Sequence, residues 1–310
     1  VTTDAHEEAA VRVVSLLPSG TEIVAALGAL DSIVGITHEC DHPPEVARVQ
    51  RVTASVTERD AASAEIDAAV RELSASGSPV FTVYTDAIVR LAPDVILTQT
   101  LCDVCAVSEG DVRAVSQAME RPPYVLSLVG TTLDAVWEDI RAVGAAIGRP
   151  AEAEALLEQI AARMRRVHET LKAAKAPRPR VAVIEWMQPL FSAGHWTPEL
   201  VRRAGGIDVL AQPGDHSVSI SLEQVREADP ELLLFAPCGF DVARSGREAR
   251  ALLATPEWEW ARGREAWALD GNALTSRPGP RLADSVEVIA AIIAPTLFRA
   301  PASTYARRVA

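Results

Sequence analysis

Short apolar runs rich in β-branched residues alternate along this chain with longer stretches whose apolar positions recur at helical spacing. Val11 to Leu17 predicts a strand. Pro18-Ser19-Gly20-Thr21-Glu22 then predicts a turn into a helix reaching Leu30, with Ser19 or Thr21 placed to cap its exposed amides. Ser32 to Thr37, Asp94 to Thr98 and Tyr124 to Leu128 predict further strands, and Ala62 to Ser74 a helix. Strands that alternate with helices predict a mainly parallel sheet covered on its faces.

Behind this first group the pattern changes. From Thr132 to Ala174 the chain is rich in Ala, Leu, Glu and Arg, broken near Gly148-Arg149-Pro150, where proline suits the first turn of a new helix. A helix from Ala151 to about Ala174 would run roughly 35 Å at 1.5 Å per residue. It reads either as an ordinary amphipathic surface helix or as a rigid spacer between two lobes, because fresh alternation begins directly behind it. Arg180 to Trp186, Glu231 to Ala236 and Trp267 to Asp270 predict strands, the first entering a loop from Met187 to Trp196. Pro198 to Ala204, Leu222 to Ala228 and Leu282 to Ile293 predict helices, Gly205-Gly206 a stop, and Arg299 to Ala310 a tail. The fold class expected is α/β, with two lobes built on mainly parallel sheets. Residues 1–150 would form the first lobe, 151–175 the connecting helix and 176–310 the second lobe.

Size and charge narrow the function. A chain of 310 residues exceeds the usual single core. With 30 basic against 42 acidic residues the net charge is -12, which argues against a nucleic-acid partner. No apolar run approaches the roughly 18 to 20 residues that insert across a bilayer. Val1 to Ala10 lacks the basic start and apolar core of a secretion signal, so the expectation is a cytoplasmic location. Export with the signal removed is the alternative, since the first residue is Val rather than Met.

The candidate chemistry gathers just past the predicted strands. Cys40, Cys102, Cys105 and Cys238 each follow one, and in open α/β sheets ligands bind beyond the carboxyl ends of the strands. Thiolates ligate zinc and iron-sulfur clusters, and reduced thiols in a cytosol favour that use. The C-x-x-C spacing also suits a redox dithiol, and lone cysteines are ordinary small core residues. Ser19, Thr21, Glu22 and His38 lie past strands of the first group, and His195 lies in a second-group loop; either imidazole could meet a metal, with a hydrogen-bonded loop histidine the plainer reading. Trp186, Phe191, Trp196 and Phe240 offer flat apolar rings suited to a large planar ligand, with core packing the plainer reading of Trp186. Arg277 and Arg281 suit carboxylate or phosphate groups on a ligand, and equally capping or salt bridges on a lobe surface. Enzymatic signatures are missing: Ser19 has no G-x-S-x-G elbow around it, and no P-loop or G-x-G-x-x-G follows the first strand.

Three segments, in order, carry a resemblance: Ser15-Leu16-Leu17-Pro18-Ser19-Gly20-Thr21-Glu22, Leu91-Ala92-Pro93-Asp94-Val95-Ile96, and Ser221-Leu222-Glu223 with Asp229-Pro230-Glu231. They resemble the periplasmic-binding-protein-like family of cobalamin-binding and iron-siderophore receptors of ABC importers, from about Val11 to Leu297. The resemblance implies two α/β lobes joined by one long helix, and non-catalytic capture of a corrinoid or other metal-containing ligand between them. It also implies an ABC permease partner docked by one acidic residue on each lobe. By motif position these are Asp86, where the family usually has Glu, and Glu223. Thr37 to Glu45, Thr98 to Ser108, Ala236 to Phe240 and Ser276 to Arg281 look like a cysteine-bearing branch labelled cobalamin-binding. The competing expectation is a cytosolic metalloprotein with zinc or an iron-sulfur cluster on the four cysteines, with cluster-dependent catalysis open to it.

Overall fold

The computed structural model of the protein describes residues 11–55, 61–76, 78, 80–99 and 109–310. In chain order the first half holds β1 (Val13–Ser15), α1 (Pro18–Ala26), β2 (Ile33–Ile36), β3 (Gln50–Arg51), β4 (Thr53–Ser55), α2 (Ser63–Ser76), β5 (Phe81–Val83), α3 (Thr85–Leu91), β6 (Val95–Gln99), α4 (Glu109–Gln117), β7 (Tyr124–Leu128) and α5 (Leu133–Ala146). After the long helix α6 (Pro150–Ala174) come β8 (Arg180–Met187), β9 (Leu190–Ser192), α7 (Thr197–Arg203), β10 (Ile207–Asp208), α8 (Leu222–Glu227), β11 (Leu232–Phe235) and α9 (Val242–Leu253). The chain closes with β12 (Glu265–Leu269), α10 (Gly271–Leu274), α11 (Leu282–Ile293) and β13 (Ala306–Arg308).

Two compact units emerge, and neither is contiguous. Unit 1 takes the described residues of Val1–Val56, Pro79–Val129 and Asp139–Glu154; unit 2 takes those of Thr57–Ser78, Gly130–Glu138 and Ala155–Ala310. Unit 1 is a parallel sheet in the order β3-β2-β1-β6-β7, with β4 and β5 paired antiparallel beside it. Val14, Leu16, Val52, Ile88, Ile96, Val112 and Val115 form its buried cluster, as expected of strands covered on both faces.

Unit 2 orders its sheet β10-β8-β11-β12-β13, with β9 folded back on β8. Pairing is parallel from β10 through β12 and antiparallel for β9 and β13. Its core includes Ala182, Ile184, Leu233, Phe235 and Trp258. Helix α6 buries Ala153, Leu157, Ile160, Met164, Val167 and Leu171, a single stripe with spacings of four and three. At 25 residues it is about 37 Å long. Arg163 on its side binds Glu287 of α11 with two bonds of 2.6 and 2.9 Å. The helix is therefore amphipathic and packed, and it also carries the chain from unit 1 into unit 2.

The α/β architecture agrees with expectation, and several local expectations are corrected. Ser19 and Thr21 do not cap α1: Leu17 precedes it without a side-chain cap, and both residues lie buried inside the helix behind Pro18. The segment after Trp186 is not a loop, because β8 runs to Met187 and returns as β9, pairing Trp186 with Phe191. The expected tail supplies β13, which covers the edge of β12 by pairing Trp267 with Arg308 and Leu269 with Ala306.

At the end of β10, Asp208 is buried, its Oδ1 accepting from the amides of Leu210 (2.9 Å) and Ala211 (3.2 Å). Burial overrides these bonds and pushes its carboxyl from 3.8 up to about 7. Between those values the folded chain holds a proton that the unfolded chain has released, so this residue's contribution to stability falls as pH rises through the window. Urea unfolding should show wild type losing more stability than Asp208→Asn between about pH 5 and about pH 8. Equal losses would contradict the assignment.

Candidate functional site

Each parallel sheet delivers polar and aromatic residues beyond the carboxyl ends of its strands, and each set can be built from its own unit. In unit 1 the chain leaves β1 through Ser15, whose hydroxyl donates to the Leu17 carbonyl at 2.8 Å, and enters α1. Thr21 Oγ1 stands 3.1 Å from Cys40 Sγ, and both residues are buried. Ser19 and Glu22 are buried alongside. Past β2, the Thr53 hydroxyl donates to Thr37 Oγ1 at 2.9 Å and accepts from the His38 amide at 3.0 Å. His38 Nδ1 lies 2.8 Å from the same hydroxyl, and its ring tilts against Phe81 with centroids 5.3 Å apart. Glu39 Oε1 approaches His38 Nε2 to 3.1 Å, off the line of a hydrogen bond. His38 is thus fixed from one side by a hydroxyl and faced by a carboxylate on the other.

In unit 2 three strand ends converge. Trp186 near the end of β8 meets Phe240, which follows β11, edge to face at 5.2 Å. The Arg244 guanidinium lies over the Phe240 ring, 3.5 Å from its centroid. Cys238 is half-buried, its amide donating to the Glu185 carbonyl at 3.3 Å. Gly271, after β12, lets the next loop close: a Cβ there would stand 2.1 Å from the Pro237 carbonyl oxygen. That contact brings the Asn272 amide to the Phe240 carbonyl, and Asn272 Oδ1 accepts from buried Arg277 at 2.8 Å. Asp270 caps α10 through the Ala273 amide. Burial raises its carboxyl, against the pull of that amide and of the Arg281 and Arg277 charges. Arg281 itself opens α11.

A second cluster in unit 2 surrounds His195, whose left-handed backbone (φ 54°) is locked by hydrogen bonds with Asp215 and Gly214. Neighbouring Gly194 leaves room for that loop, since a Cβ would lie 2.3 Å from the Ser217 amide nitrogen. The His195 ring stands 5.3 Å from His216 at 87° and 5.6 Å from Trp196. Burial, and then the charge of His216, lower its pKa from 6.5. Trp196 is a packing residue: it is buried and donates its indole N–H to the Thr275 carbonyl at 2.8 Å.

Unit 2 therefore brings Trp186, Phe191, Cys238 and Phe240 into one neighbourhood and His195 with Trp196 into another. Cys102 and Cys105 lie outside the described residues. Among the described residues no group of three or more His, Cys, Asp or Glu side chains is placed to hold a metal ion. Asp86 is exposed in the first turn of α3, in a shallow depression of about 610 Å³ lined also by Gln50, Tyr84 and Arg90. Glu223 is exposed on α8 and paired with Arg226 at 2.6 Å. Sequence reasoning missed Arg244, Asn272 and Thr53. Only Arg244 left a trace, three residues beyond Asp241, whose carboxylate caps α9 through the Arg244 amide.

The model of the periplasmic binding protein family matches residues 13–261. The chain belongs to that family. Periplasmic binding proteins capture solutes rather than transform them, and this chain is a solute-binding protein. It is 21% identical to the vitamin B12-binding protein of Vibrio cholerae, over 90% of this chain and 87% of the other. An ABC transporter substrate-binding lipoprotein of Bacillus subtilis is 24% identical over 93% and 81% of the two chains. Among solved structures, a periplasmic heme-binding protein of Pseudomonas aeruginosa superposes with a TM-score of 0.71 at 21% identity, covering 96% of this chain and 97% of that one. The Vibrio cholerae vitamin B12-binding structure superposes at 0.63 and 20% identity, covering 91% and 96%. The structural likenesses show that this chain shares the α/β fold of those binding proteins.

For this site, an NMR titration should find the His195 imidazole below 6.5, and His216→Asn should raise it only part of the way, because burial is the larger cause. A value at or above 6.5 in wild type would contradict the burial described.

Proposed function

We propose that the protein binds a corrinoid, or another metal-containing ligand of similar bulk, with the residues past its parallel strands, and hands it to an ABC permease. The observation that carries this reading is the pair of Trp186, near the end of β8, and Phe240, past β11, with Arg244 on one ring face and the Asn272 and Arg277 pair beside it. Broad apolar rings with few polar anchors suit a large, flat ligand with polar substituents at its rim. His38 in unit 1 and His195 in unit 2 are the imidazoles nearest in chemistry to a ligand metal.

Support also comes from the relatives, one named for vitamin B12 and others for heme. A lipoprotein of an ABC transporter among them favours export, which replaces the cytoplasmic expectation. No described helix is long and apolar enough to cross a membrane. Asp86 and Glu223, both exposed, are the residues offered for permease docking.

Titration with cyanocobalamin, and separately with hemin, should quench tryptophan fluorescence saturably with a dissociation constant of roughly micromolar or tighter for one of the two. Trp186→Phe should remove most of the quenching. Saturation by hemin alone would move the ligand from corrinoid to heme. The absence of saturation by either, well above micromolar concentration, would refute the reading.

A further inference from the structure

Helix α2 and the strands that flank it in sequence fall in different compact units. The strands on either side of it, β4 and β5, pair with each other in unit 1 through Thr53 with Val83 and Ser55 with Phe81. The described residues of α2 belong to unit 2. Its hold there is thin. Of the α2 residues whose side chains are described, Ser63 alone is buried, while Ile66, Val70 and Leu73 are only half-buried. Helix α11 of the same unit, by contrast, buries Leu282, Val286, Ile289 and Ile292.

Two side chains of α9 hold the start of α2. Glu248 Oε1 accepts from the Ser63 amide at 3.2 Å, meeting an N–H that has no partner inside the helix. Arg244 donates to the Ala61 carbonyl. The same guanidinium covers the Phe240 ring, which in turn meets Trp186. One cation therefore holds the entrance of α2 and occupies an aromatic face of the ligand-facing set. Elements with few buried apolar contacts open locally at low free energy, and two polar contacts hold the start of this helix.

We propose that α2 is a detachable wall of the ligand-binding face of unit 2, latched by Arg244 and Glu248 as positioning residues, and that a ligand seated on Phe240 competes with the docked helix for Arg244. A flat ligand on that ring displaces the guanidinium, and the displaced guanidinium no longer holds Ala61. Ligand occupancy and α2 docking are then negatively coupled, and the coupling must be reciprocal. The latch stands without any assignment of ligand; the coupling rests on the ligand-binding reading above.

Hydrogen exchange of the full chain separates the two. Without ligand, Arg244→Ala and Glu248→Ala should each speed amide exchange across α2 by about tenfold or more, with α11 unchanged, as expected when a charge-assisted bond is lost from a marginal helix. The Glu248 variant leaves Phe240 packing intact, so it decides the latch even if the Arg244 variant misfolds. Unchanged α2 exchange in Glu248→Ala would overturn the latch. Saturating cyanocobalamin or hemin, whichever binds, should speed α2 exchange in wild type and do so less in Arg244→Ala; slower exchange on binding would overturn the coupling. Failure of both ligands to bind wild type would refute the ligand reading and the coupling with it, while the ligand-free comparison would still decide the latch.

Discussion

Parallel pairing of buried strands is the constraint on which the rest of this protein depends. β1 is hydrogen-bonded on both sides by parallel neighbours, and so is β8. Their interiors, Val13 and Val14 in one and Val181 to Ile184 in the other, are withdrawn from water. Strands held this way all point in one direction, so their carboxyl ends collect at a single edge of each sheet. Ser15 lies at such an end in unit 1, and the Cys40 loop past another. Trp186, Cys238 and Asp270, which are far apart in sequence, lie near them in unit 2. Truncating a core side chain such as Leu233 would cost about 2–5 kcal/mol and would disturb the alignment of those ends before it touched any ligand.

Polar groups at these edges survive burial by holding one another. The Thr53 hydroxyl serves Thr37 and His38 together, and Arg277 is met by Asn272, whose own amide is spent on Phe240. Networks of this kind fix side-chain positions before a ligand arrives, at the cost of carrying groups whose desolvation must be compensated. Asp270 records that cost in its raised pKa, and His195 in its lowered one. The outcome is a group of oriented polar atoms near the strand ends of each unit, on a molecule whose net charge is -12. Groups held in this way suit a protein that captures a solute.

The fold was legible wherever one period dominated. Tyr124 to Leu128 and Leu282 to Ile293 form a strand and a helix with the bounds their apolar patterns indicate. β13 escaped notice because an edge strand needs little burial: Ala306 is buried, while Arg307 and Arg308 are exposed and read as tail. α9 escaped because its buried residues include Ser245, Gly246 and Ala249, too small to mark an apolar stripe between its arginines. β9 was hidden inside Met187 to Trp196, expected as a loop, although the hairpin places only two residues between its strands. At the site, positions past strand ends could be read directly. The burial of Thr21 against Cys40, the Arg244 contact with Phe240 and the grouping of α2 with unit 2 depend on partners far away in sequence, and no local pattern announces them.

The most direct test is a crystal structure of the protein grown with the corrinoid or heme that saturates it. That structure should show ligand density in contact with the Trp186 and Phe240 pair of unit 2, at the carboxyl ends of β8 and β11. Density at the amino ends of those strands, or on the outer helices, with the aromatic pair untouched, would contradict it.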